Sequence, residues 1–238
     1  WELEAGDILY VPPRVPHWGT ALDDECMTFS VGFRAPNLQE LTAEYAASIS
    51  DAMEEEQFYE DPGLKAQAED PGKIDEGAVT ELWDGLKETL LGSNPEEGQE
   101  RFKRFFGGYV TEGLRKSPVA LDRTIDRAEA EAIIQDIGEG VETELQRAEG
   151  IKFAWLNLAS SIGLFVHGKL YEVSDTKEGL KAVQTLCRER AFGKEELELL
   201  LSEEAKMGEV IVELIEEGCL YCPGHDEVEF EEDLSASS

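Results

Sequence analysis

Pro12, Pro13 and Pro16 constrain this chain more than any other local feature. They fix φ at three of five consecutive positions and push the residue before each toward extended backbone. The run that contains them reads Gly6-Asp7-Ile8-Leu9-Tyr10-Val11-Pro12-Pro13-Arg14-Val15-Pro16-His17-Trp18-Gly19. A Gly-Asp turn leads into a short apolar run, the prolines stop it, and a histidine follows directly. Met27-Thr28-Phe29-Ser30-Val31-Gly32-Phe33 then alternates apolar and small or polar residues, the period of a half-buried strand. The spacing predicts strand, rigid turn, histidine, turn, strand over residues 1–36.

Two readings of His17 stand side by side. A histidine next to a tryptophan is commonly a packed, partly buried imidazole. A histidine on a proline-stiffened turn also suits a metal, whose ligands must be placed before it arrives. Imidazole serves Fe, Zn, Cu and Ni, and a facial triad for non-haem iron needs a second histidine and a carboxylate. The other histidines, His167 and His225, lie far along the chain, and no His-x-Asp pair occurs. Either His17 is not a ligand, or its partners lie outside this chain.

The run from Gly6 to Pro13, His17-Trp18-Gly19, Ala21-Leu22 and Ser30-Val31-Gly32-Phe33-Arg34-Ala35-Pro36 closely resembles the bacterial JmjC-type ribosomal oxygenases. The Gly-Asp-x-Leu-Tyr-x-Pro-Pro element alone points to cupin or JmjC proteins; the trailing Gly-Phe-Arg-Ala-Pro narrows it to the ribosomal branch. The resemblance implies a double-stranded β-helix that uses Fe(II), 2-oxoglutarate and O₂ to hydroxylate a side chain, arginine in the bacterial branch, of a large-subunit ribosomal protein. It makes His17 the last ligand of a His-x-Asp…His triad, with Arg14 and Trp18 flanking the substrate mouth. The family's His-x-Asp lies some tens of residues before this histidine, and only sixteen residues precede His17 here. The chain thus reads as the C-terminal part of a longer protein. The groups that hold 2-oxoglutarate would lie upstream, the fragment alone would not turn over, and Arg34 reads as structural.

Net charge is −32, spread over both halves: 25 acidic and 10 basic residues in 1–117, 28 and 11 in 118–238. Such a field opposes non-specific nucleic-acid binding and attracts a basic partner, though an acidic surface for solubility reads equally well. No run of eighteen apolar residues is present, so no membrane span is expected. Four cysteines in a chain this long form no disulfide framework, which fits a reducing cytoplasm.

Helical periodicity covers 38–59, with Asn37 as N-cap, then 74–91 and 96–114. Residues 70–81 have the length and ends of a calcium loop, but Gly72 and Ile74 stand at ligand positions and Asp75 replaces the required glycine. Phe102, Phe105, Phe106 and Tyr109 are expected in a core. The resemblance gives this segment, 37–117, a homodimerising role.

Residues 118–238 read as helix (124–148), short strands (152–158, 164–167 and 169–173, turning at His167-Gly168), helices (176–190, 195–201 and 204–217, with Gly218 as C-cap), and a short strand at 219–222. That order fits a winged helix, with which these oxygenases also end. The overall expectation is an α+β chain: the end of a cupin barrel, a helical dimerisation bundle and a winged-helix domain. A DNA reader needs a basic recognition helix. Residues 176–190 carry Lys177, Lys181, Arg188 and Arg190, but 195–217 hold nine glutamates and one lysine, and 226–233 add six acidic residues. A protein-contacting or structural role, without DNA, is expected. Cys219-x-x-Cys222-x-x-His225 resembles half a zinc site and lacks two further ligands. The last residues, 226–238, have the composition of a disordered tail.

Two functions compete: a piece of a ribosomal oxygenase, or a cupin-derived dimeric scaffold for a basic partner. An acidic transcription factor is disfavoured by charge.

Overall fold

A computed structural model describes residues 2–12, 14–32, 36–53, 72–112, 124–142, 144–202 and 207–223. The chain divides into two compact units, Trp1–Leu41 and Thr42–Ser238.

The first unit contains turns and extended backbone but no strand among its described residues. This corrects the strand-rich expectation for 1–36. A strand exists through its ladder, and the alternating run at 27–32 finds no partner among the described residues. Its side chains stay in solvent: Phe29 is 86% exposed, and Ile8 in the earlier run 95%. The Gly-Asp turn does form. Asp7 N–H donates to Glu4 O (3.0 Å), Glu4 N–H donates to Asp7 Oδ2 (2.9 Å), and Gly6 takes a φ of +95°. Asn37 caps the next helix as expected, accepting from Glu40 N–H at 2.8 Å.

Helices α1 (Leu38–Asp51), α2 (Glu76–Leu91) and α3 (Pro95–Thr111) follow the three periodic segments, whose ends at 54–59 and 113–114 lie outside the described residues. Asp75, in the failed calcium loop, instead caps α2 by accepting from Ala78 N–H at 3.0 Å. Asn94 caps α3, with Pro95 at its first position. The α3 aromatics are half-buried and form one cluster: Phe102 stacks on Phe106 and Phe106 on Tyr109, Phe105 meets Phe102 and Tyr109 at a tilt, and Tyr45 of α1 packs on Phe102 and Phe105 at 5.3 and 5.1 Å.

Helix α4 covers Arg127–Glu139, not all of 124–148. Gly140 ends it in the left-handed region (φ +78°), its N–H bonding Asp136 O and Ile137 O. Leu145–Arg147 then forms β1, the central strand of a small antiparallel sheet between β5 (Ala191–Phe192) and β6 (Leu220–Tyr221). Three residues hold too little periodicity to reveal a strand whose partners lie some 45 and 75 positions away in the ladders Gln146–Ala191 and Gln146–Tyr221.

A three-stranded meander joins β2 (Phe153–Asn157), β3 (Ser161–Val166) and β4 (Lys169–Ser174), with β3 central and buried throughout. The β3–β4 turn is His167-Gly168, with φ of +50° and +88°, the pair of positive values that a two-residue type I′ hairpin requires. Helices α5 (Lys177–Arg188), α6 (Lys194–Leu200) and α7 (Gly208–Glu216) close the unit. Gly218 takes φ +67° after α7, as expected of a C-terminal cap. The core runs through Ile133, Ile137, Leu145, Ile162, Leu164, Leu186, Phe192, Leu214 and Leu220.

Helix α3 is fastened to the meander. Gly107 lies against Phe165, such that a Cβ there would sit 2.3 Å from the ring. Thr111 Oγ1 donates to Gly107 O (2.8 Å) and accepts from Gly168 N–H (3.2 Å). Arg104 grips Glu172 through both amino groups (2.6 and 3.3 Å), while Ser161 Oγ donates to the same carboxylate at 2.6 Å. Lys103 Nζ donates to Asn157 O at 3.0 Å. The hairpin tip is also tied to α7: Lys169 pairs with Glu213 and Glu217, and Tyr171 OH donates to Glu217 Oε2. No helix among the described residues is long and apolar enough to cross a membrane.

Candidate metal-ligand turn

Pro12 O accepts from Val15 N–H at 3.3 Å, closing a turn. Arg14, its third residue, has φ +66°. A type II turn demands positive φ at that place, and the second position, Pro13 in the sequence, favours proline. Arginine there costs about 1 kcal/mol that glycine would not.

His17 follows immediately. Its Nδ1 lies 3.0 Å from Val15 O. A carbonyl can only accept, so Nδ1 carries a proton, and whenever the ring is neutral it is Nε2 that keeps the lone pair. Metal-bound histidines show this arrangement, the second nitrogen donating to a carbonyl or carboxylate that fixes tautomer and ring orientation. The ring is exposed, not packed in a core. Arg14 and Trp18 are exposed on the same segment, Trp18 at 89%. Among the described residues no hydrogen bond or ion pair joins either side chain to His17.

The fit to a metal is therefore one position deep. No group of three His, Cys, Asp or Glu side chains that could hold a metal exists among the described residues. His167 sits in the hairpin turn of the other unit. His225 and Glu227 have a His-x-Glu spacing, but both lie outside the described residues, as do Arg34 and the tail at 226–238. Cys219 and Cys222 are buried, and Cys222 Sγ lies 3.4 Å from Glu142 Oε2, a carboxylate that the cysteine spacing gave no hint of. Burial pushes the Cys187 thiol up to about 11 and the Cys219 thiol up to about 12, with Glu217 adding to the latter.

Known proteins match at three levels. The JmjC domain family matches residues 1–41. The ribosomal protein uL16 3-hydroxylase of Escherichia coli K12 is 35% identical over 119 residues, half of this chain and 30% of that protein. A probable ribosomal oxygenase of Haemophilus influenzae is 54% identical over 39 residues, 16% of this chain and 9% of that protein. Among solved structures, E. coli YcfD matches with TM-score 0.54 and 21% identity over 80% of this chain and 46% of that one. YcfD in complex with cobalt and succinic acid matches at 0.55 and 20%, over 82% and 48%. The chain spans about a third of the first curated relative and under half of the solved structures. Residues 1–41 thus match the JmjC domain, half of the chain is similar in sequence to a bacterial ribosomal protein hydroxylase, and most of it is similar in fold to YcfD.

Proposed function

We propose that this chain is the C-terminal part of an Fe(II)- and 2-oxoglutarate-dependent oxygenase that hydroxylates a side chain, arginine, of a large-subunit ribosomal protein in the cytoplasm. The observation that carries the reading is the JmjC match over 1–41 combined with the exposed His17 ring, whose Nδ1 is engaged by Val15 O. A relative's structure holds cobalt and succinic acid, and succinate is what 2-oxoglutarate becomes on oxidative decarboxylation. Bound iron would supply activation of O₂. This chain's part is to offer one neutral nitrogen in fixed orientation, with Arg14 and Trp18 beside it to line the substrate mouth. The remaining ligands would come from upstream residues.

Residues 37–117 serve as a dimerisation segment in this reading, and 118–238 as a winged helix that contacts protein, not DNA. The apolar face of α2 supports the former. Val79, Leu82, Trp83 and Leu86 recur at helical spacing, each about half exposed, and α2 buries no residue.

The test has two steps. Reading the coding sequence upstream of Trp1 should reveal a His-x-Asp some tens of residues before His17. The longer protein should then consume 2-oxoglutarate with ribosomal-protein peptides, and His17→Ala should abolish that turnover. If no His-x-Asp precedes His17, the oxygenase reading fails. The acidic chain with its unpaired α2 face would then be a dimeric scaffold for a basic partner.

A further inference from the structure

With 53 acidic and 21 basic side chains, carboxylates are everywhere, and most described cations of the second unit find one or bond a carbonyl. Lys87, Arg101, Lys103, Arg104, Arg127 and Lys169 all form ion pairs. Lys177, Lys181, Arg188 and Arg190 are exposed and form none among the described residues. Three of them, with Gln184, recur at intervals of four, three and four along α5, which places Lys177, Lys181, Gln184 and Arg188 on one stripe. Glu178 lies about 100° away around the helix, and Asp175 and Glu189 flank its ends. The opposite face, Ala182, Val183 and Leu186, is buried in the core. Beside the C-terminal half of the stripe a depression of about 270 Å³ is lined by Trp155 of β2, Gln184, Cys187 and Arg188. It offers an aromatic wall under a cationic rim.

We propose that this stripe is the docking surface for the chain's own acidic segment 226–233, with Phe230 entering the Trp155 depression. The segment reads Asp-Glu-Val-Glu-Phe-Glu-Glu-Asp: six carboxylates around two apolar residues, the complement of a stripe with an aromatic-walled hollow. It begins close by. Its leading strand β6 and the strand β5 that follows Arg190 flank β1 in one sheet, about 10 Å apart. The fifteen residues after Pro223 can extend to roughly 50 Å, ample for the path. Tethering supplies an effective concentration on the order of millimolar, enough for a contact of few charges. A free nucleic acid would have to overcome the net charge of −32 on approach, whereas the tail meets that field whether bound or not.

Lysine acylation followed by peptide mass mapping tests this on the full chain and on a chain ending at Pro223. Exposed Lys73 serves as internal reference. Lys177 and Lys181 should react roughly 3- to 10-fold more slowly in the full chain, the protection that a tethered weak contact gives. The difference should vanish in 1 M NaCl, where screening reaches about 3 Å. A full-length variant carrying E229Q, F230A, E231Q and E232Q should behave like the shortened chain. Equal rates in the full and shortened chains overturn the proposal. Protection that grows with protein concentration places the tail on a neighbouring copy and also overturns it. A single-stranded RNA of about 20 nucleotides that protects both lysines equally with and without the tail would assign the face to nucleic acid instead.

Discussion

One hydrogen bond decides how His17 can act. With Nδ1 donating to Val15 O, the ring presents Nε2 as a donor of electrons, and rotation about χ2 would break that bond. On the proposed reading, His17→Ala in a protein that carries the upstream ligands should lower turnover by more than the roughly 10- to 100-fold that outer-shell changes cost, read as succinate formed per minute. The cysteines differ just as sharply. Cys26 is exposed and should react with a thiol reagent at once, while buried Cys219 and Cys222 should react only on unfolding. The Cys187 and Cys219 thiols are raised to about 11 and about 12 in the folded chain. A raised acid favours the protonated form, so their contribution to stability is complete below the unfolded value of about 8.5 and is lost as pH climbs through 11 to 12. Denaturant midpoints should therefore hold at pH 7–8 and fall above pH 9. A midpoint that rose with alkali would contradict this.

At the scale of elements, α3 meets the meander with no room for a side chain at Gly107. A methyl group at Gly107 would meet three atoms of the buried Phe165 ring at 2.3–2.4 Å. Gly107→Ala should cost about 1–3 kcal/mol of overpacking, which lowers Tm by about 5 °C in a unit of this size. The double change Gly107→Ala with Phe165→Leu should recover part of the loss, and strict additivity would show that the two sites are uncoupled. Elements with local signals were legible in sequence: Asn37 as a cap, the His167-Gly168 turn, the periodic helices and Gly218. Those made by distant partners were not. Strand β1 was hidden inside a predicted helix because its identity rests on ladders to β5 and β6, and Gly140 was the one local mark that the helix had ended. The alternation at 27–33 announced a strand that the described backbone does not form, since periodicity shows what a segment could pair with and not whether a partner is there. The proline-stiffened turn singled out His17 as a candidate because prolines act locally; the Val15 bond at its Nδ1 was not legible.

For the whole molecule, the exposed face of α2 makes an association state measurable. If Val79, Leu82, Trp83 and Leu86 meet their counterparts in a second copy, Leu82→Asp with Leu86→Asp should shift sedimentation from dimer to monomer at micromolar concentration. Circular dichroism should stay unchanged, because α2 buries no residue within one chain. A dimer that survived both substitutions would place the interface elsewhere. The fastening of α3 to the meander has its own consequence for how such proteins are cut and recombined. A boundary drawn after Ser117, between the segments 37–117 and 118–238, would separate Gly107 from Phe165 and Thr111 from the hairpin tip. A piece starting beyond it would carry the Phe165 ring without its α3 neighbour and a carboxylate, Glu172, without its arginine. The two stretches are therefore expected to travel through evolution, and through the cloning bench, as one inheritance.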